Sequence, residues 1–173
     1  MQLMKTQLIK DILVSEPDGR LVTICGWVRT KRDSKNLCFI QVNDGSCFAT
    51  IQLTFDRENA NPNNENIENT LPNVTTGASI KATGKLIPSP ASGQAVEVAL
   101  ETLEVLGISP SDYPLQKKGH TVEFLRENSH LRARTNMFGA VARMRSEMAF
   151  AVHSFFQEKG FFYFNAPLIT CSD

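Results

Sequence analysis

The sequence predicts an all-β barrel of five strands in Greek-key order, followed by the helical beginning of an α+β domain. Three observations carry this. Residues 20–106 are short β-branched and aromatic runs broken by turn residues. The strands come as three, then a polar Asn-rich connection over 59–70, then two more. Residues 107–173 change to helical periodicity and close on an aromatic run.

Leu21–Val28 reads as the first strand, with Gly26 suited to the bend or bulge that a coiled small barrel needs. Leu37–Val42 is the second. Asn43-Asp44-Gly45-Ser46 is a hairpin turn, because Asp-Gly tolerates positive φ. Phe48–Phe55 is the third strand, and the 59–70 connection holds at most a short helix around Ile67. Ala78–Ile87 and Ala95–Leu106 are the fourth and fifth, joined by the Pro88–Gly93 loop. Three strands in a meander, a crossing element and two more strands is the order of an OB-fold, a barrel that often binds single-stranded nucleic acid. Thr6–Leu13 forms a short leading helix.

The expected organisation is a barrel domain over 1–106, a linker or hinge over 107–120 and a truncated further domain over 121–173. Ser109-Pro110 and Tyr113-Pro114 keep the linker out of helix. Thr121 starts a helix running to about Arg132, with Glu123 in its first turn. A longer helix spans about Asn136 to Lys159. Its Val141, Met144, Met148, Val152 and Phe155 share one face, and Gly160 ends it. Phe161–Phe164 reads as a strand with aromatics on both faces. A lone strand cannot satisfy its own ladder, so this half is expected to belong to a larger domain or to an oligomer interface. Exposed, it is also an aggregation hazard.

Composition narrows the function. The 173 residues carry 18 basic and 18 acidic side chains, which excludes a uniformly basic nucleic-acid sponge but not a local patch. No apolar run reaches membrane-span length, and the N-terminus lacks a signal core, so a cytoplasmic location is expected. Cys25, Cys38, Cys47 and Cys171 have no metal or disulfide spacing and read as reduced structural thiols. The three histidines are too far apart for a local metal motif.

Two basic clusters stand out. Arg29, Lys31, Arg32 and Lys35 surround Asp33 after the first strand, and seven basic side chains fall within 117–145. Phosphate contacts explain both, as do solvated loops and salt-bridged helix faces. Leu37, Phe39 and Gln41 share a strand face. Phe39 is a candidate platform for a stacked base. Gln52 offers a donor and an acceptor, and Glu97 an acceptor for a ring N–H. Together they suit a uracil edge. Composition alone favours the plainer assignment: Phe39 in the core, Gln52 and Glu97 at the solvated surface.

The residues Gly26-Trp-Val-Arg29, Arg32-Asp33 and Phe39-Ile-Gln-Val-Asn-Asp-Gly-Ser46 resemble the anticodon-binding OB domain of class II aminoacyl-tRNA synthetases of the Asp/Asn/Lys subclass. Tyr113–Arg126 and His130–Asn136 resemble the asparaginyl branch of that family, and Ala142–Pro167 resembles its motif 1. The resemblance implies that Phe39 stacks on the central anticodon uridine and that Gln52 and Glu97 read it. It places Arg29 and Arg32 near the anticodon backbone, and Pro167, with Phe161 and Phe162, at a homodimer interface. It further implies asparagine, ATP and Mg²⁺ as reactants and cofactors, with tRNA-Asn as partner. Motifs 2 and 3, which hold ATP and the amino acid, do not occur in these 173 residues. The chain therefore reads as an N-terminal fragment with no catalytic residue of its own and no metal site. The Asn-rich 59–70 segment departs from the family's usual helix and is expected to vary freely. The rivals are an aspartyl-tRNA synthetase, whose anticodon shares the central uridine, and a stand-alone RNA-binding module.

Overall fold

The computed structural model describes residues 6–59, 61–91, 93–166 and 169. They form two compact units, Met1–Thr121 and Val122–Asp173.

The first unit is a closed barrel of β1 (Leu21–Asp33), β2 (Leu37–Asn43), β3 (Ile51–Asp56), β4 (Ser79–Pro88) and β5 (Val96–Gly107). Its strand order is β1-β2-β3-β5-β4, with β4 returning to β1. β1 closes the ring because it is long enough to serve two neighbours: Leu21–Trp27 pair with β4 and Trp27–Asp33 with β2. β3 and β5 meet in parallel through Leu53–Val98 and Thr54–Ala99. The barrel and its strand order bear out the predicted OB-fold.

Alternation along each strand fills the interior. Val22, Ile24 and Val28, then Cys38, Ile40 and Val42, then Ile51, Leu53 and Phe55, are all essentially buried. Each such aliphatic or aromatic side chain stabilises the fold by roughly 1.5–3 kcal/mol. Burial also pushes the Cys38 thiol up to about 11, as befits a packed rather than reactive cysteine.

Short helices add to this core. α1 (Ile9–Leu13) is far too short to persist alone. It is held because Ile9 and Ile12 are buried and because the β2–β3 loop caps it. Asp44 Oδ2 accepts from Ile9 N–H at 2.8 Å, and Ser46 Oγ from Lys10 N–H at 3.1 Å. Burial of Asp44 pushes its carboxyl up, but hydrogen bonds from the Ser46 hydroxyl, Ile9 N–H and Ser46 N–H outweigh that and leave it below its ordinary value. α2 (Asn64–Thr70) contributes Ile67 to the core. The Asn-rich connection is not free to vary: Asn61 and Asn63 donate their amide N–H groups to the Glu101 carbonyl of β5, both at 3.1 Å.

The strands differ from expectation in three places. β1 runs five residues past the predicted end, so Arg29, Lys31 and Arg32 lie on a strand and not in a loop. β3 starts at Ile51, not Phe48, because Asn43 Nδ2 holds the Cys47 and Ala49 carbonyls in the turn. The bulge in β1 falls between Val28 and Thr30 and not at Gly26. Gly26 instead allows close approach, since a Cβ there would lie 2.6 Å from Val42 Cγ1.

The 107–120 segment belongs to the barrel unit. Thr75 Oγ1 donates to the Ser109 carbonyl, and Leu115 is buried.

The second unit holds α3 (Val122–Glu127), a single 3-10 turn (Arg132–Arg134) and α4 (Asn136–Glu158). Gly160 ends α4 with φ +83°, as its sequence position predicts. The face predicted from Val141, Met144, Met148, Val152 and Phe155 lies exposed. Phe161–Phe164 is not a strand. Without a neighbouring strand among the described residues there is no ladder to form. The run instead turns back on α4, with Tyr163 edge-on to His153 at 4.8 Å and Phe161 edge-on to Phe156 at 5.5 Å.

Candidate nucleic-acid interface

The outer face of β1, β2, β3 and β5 carries two rows of side chains. Cross-strand register sets one row as Arg32, Phe39, Thr54 and Ala99, and the other as Thr30, Gln41, Gln52 and Glu97. The β1 bulge makes this possible. Val28 faces the core opposite Val42, and the extra residue, Arg29, shifts the alternation so that Thr30 lies opposite Gln41 and Arg32 opposite Phe39. Lys31 consequently falls on the core side, and its ammonium donates to the Leu71 carbonyl at 2.7 Å.

Phe39 is half-buried and lies outside the apolar core, contrary to the plainer assignment. The Arg32 guanidinium lies 5.8 Å from the centre of its ring, at the outer range of a cation–π contact. One residue pair along, Gln52 and Glu97 are 7% and 4% exposed, neither of them at the solvated surface. Gln52 Nε2 donates to Glu97 Oε2 at 3.0 Å. Ser89 Oγ and Gln94 Nε2 reach the same oxygen at 3.2 and 3.4 Å. All three donors converge on Oε2, so Oε1 is the carboxylate oxygen available to a ligand. At the β1 side of the row, Thr30 Oγ1 donates to Gln41 Oε1 at 3.1 Å.

The structure thus brings Phe39, Gln52, Glu97 and Arg32 to one face. Arg29 is the bulge residue, which the β1–β2 register skips, and belongs to neither row. The basic cluster is partly consumed within the fold, through Lys31 and through Asp33, which accepts from Arg57 Nη2 at 2.9 Å. Arg57 also pairs with Glu68 and so ties β3 to α2. Sequence reasoning singled out neither Arg57 nor Thr30, Ser89 and Gln94. Strand alternation placed Gln41 beside Phe39 but gave it no role.

Phe161 and Phe162 are 62% and 98% exposed. Pro167 lies outside the described residues. Among the described residues no group of three or more His, Cys, Asp or Glu side chains could hold a metal ion, so those residues offer no fit for Mg²⁺. No helix among them is long and apolar enough to cross a membrane.

A family model described as an OB-fold nucleic acid binding domain matches residues 22–106. The asparagine–tRNA ligase of Treponema denticola is 58% identical over 96% of this chain and 35% of its own length. That of Phocaeicola vulgatus is 52% identical over 95% of this chain and 34% of its own. The chain therefore spans about a third of the length of these relatives. Among solved structures, the asparaginyl-tRNA synthetase of Pyrococcus horikoshii superposes with a TM-score of 0.81 at 19% identity, over 97% of this chain and 39% of that one. A putative aspartyl-tRNA synthetase from Leishmania major gives 0.81 at 16% identity, over 96% and 35%. At those identities the two structures speak for the fold alone. Residues 22–106 thus match the OB-fold nucleic acid binding domain model, in a chain similar over nearly its whole length to about a third of the asparagine–tRNA ligases.

Proposed function

We propose that the barrel is the anticodon reader of an asparagine–tRNA ligase. In this reading the central uridine of the anticodon leaves its stack and lies on Phe39. Glu97 accepts from the ring N–H, and Gln52 flanks it as donor or acceptor. Arg32 and Arg29 lie near the RNA backbone.

One observation carries this: a half-buried aromatic ring stands next to a buried amide–carboxylate pair on the same outward face. A buried carboxylate is costly unless it is well hydrogen-bonded, and three donors hold this one with an oxygen to spare. A purely structural face gains nothing from such a group.

The whole protein would join asparagine to tRNA-Asn at the expense of ATP, with Mg²⁺ as cofactor, in the cytoplasm and as a homodimer. Phe161, Phe162 and Pro167 would contribute to the dimer contact, and residues from about 121 onward would begin the catalytic domain. The branch rests on the curated relatives, which are named asparagine–tRNA ligases at 47–58% identity.

The test is binding of a short anticodon stem-loop RNA with uridine at the central position. Phe39→Ala should weaken it by about 1–3 kcal/mol, the scale of one stacked base. Unchanged affinity in a folded variant overturns the proposal.

A further inference from the structure

The row of Thr30, Gln41, Gln52 and Glu97 holds a polar side chain that this base-reading scheme leaves unused. Gln41 lies directly opposite Gln52 across β2 and β3 and one alternation from Phe39. Its Oε1 is occupied by the Thr30 hydroxyl at 3.1 Å. In this arrangement Oε1 turns to Thr30, and Nε2, with two N–H groups, is the end left to donate. Nε2 is not buried without a partner, so it is open to solvent or to a ligand.

A uracil edge presents two carbonyl oxygens flanking one N–H. Glu97 suits the N–H. Gln52 has already given one amide hydrogen to Glu97, so at most one remains for two carbonyls. The row therefore needs a second donor, and Gln41 is the next side chain along it.

We propose that Gln41, oriented by Thr30, is a specificity-determining residue that donates to a carbonyl of the base on Phe39 and so selects uracil over cytosine. This inference rests on the anticodon-reading proposal. Cytosine would turn an amino group toward one of these donors and a bare ring nitrogen toward Glu97. Both contacts are mismatched, and mismatched buried polar groups are what make such discrimination steep.

The experiment uses the 173-residue chain with two stem-loop RNAs that differ only in uridine or cytidine at the central position. Gln41→Glu exchanges the donor for an acceptor at constant shape. It should weaken uridine RNA about tenfold and shrink the preference over cytidine by at least that factor. Gln41→Met, isosteric and apolar, should lose a similar part of uridine binding with no gain for cytidine. Phe39→Ala is run alongside. If it changes nothing, the base-reading scheme itself falls. If it weakens binding while both Gln41 variants keep wild-type affinity and preference, the role of Gln41 alone is overturned.

Discussion

Gln52→Ala should destabilise the barrel by about 2 kcal/mol, while Glu97→Gln should leave its stability nearly unchanged. Glu97 is 4% exposed and takes its three hydrogen bonds at 3.0, 3.2 and 3.4 Å. A hydrogen bond to a charged group contributes about 1.5–3 kcal/mol. Gln52→Ala removes the shortest of the three, and the two that remain keep the loss near the lower end. The deleted methylene, in a side chain 7% exposed, adds roughly 0.8 kcal/mol. Glu97→Gln keeps an oxygen in place for all three donors and removes a buried charge, so gain and loss nearly cancel, within about 0.5 kcal/mol. Its cost should show in RNA instead. With that oxygen held by the three donors, the amide nitrogen takes the place of the oxygen that faced the ligand, so a donor meets the base N–H and uridine RNA should bind about tenfold more weakly. Urea unfolding followed by Trp27, the chain's one tryptophan and a β1 residue, reports the barrel alone. Fluorescence anisotropy with the uridine stem-loop reports the site. A Gln52→Ala loss below about 0.5 kcal/mol, or a Glu97→Gln loss as large as that of Gln52→Ala, would refute the interdependence of the pair.

Two further variants probe the scaffold. Asp44 has a folded-state pKa below its ordinary 3.8, so the stability it contributes is fully present above that value and is lost as the pH falls through the lower, folded value. Asp44→Ala should cost about 1–2 kcal/mol at neutral pH and flatten the acid limb of the stability profile below about pH 4, followed by urea midpoints across pH. Gly84→Ala should cost about 3 kcal/mol or more, because the new Cβ would lie 2.1 Å from the Ala99 carbonyl oxygen, a backbone atom that cannot move without parting β4 from β5. A melting temperature within a few degrees of wild type would show that the strands can separate there.

Strand existence was legible because alternation is a local property: Cys38, Ile40 and Val42 identify their inward face without any knowledge of the fold. The pairing of Gln52 with Glu97 was not, since it depends on β3 and β5 running parallel across 45 residues of sequence. The same holds for Thr30. Its place beside Gln41 follows from a bulge one residue before it, and the glycine that drew attention to a bulge, Gly26, serves close packing instead. The start of β3 was misplaced because Phe48 has strand character while Asn43, five residues earlier, decides the turn through its amide. The aromatic run 161–164 has the composition of a strand but no neighbour to pair with among the described residues, and composition cannot supply one.

The single surplus residue in β1 has a consequence for any insertion or deletion in this strand. Drawn into the ladder as a regular residue, Arg29 would take the place opposite Gln41 and put the downstream half out of phase: Thr30 and Arg32 would turn toward the hydrocarbon interior, and Lys31 would come out beside the aromatic platform, whereas deleting Arg29 would leave Val28 and Thr30 as successive ladder residues in their present phase. The outward row therefore depends on the surplus residue staying bulged out of the ladder, whatever side chain fills that position.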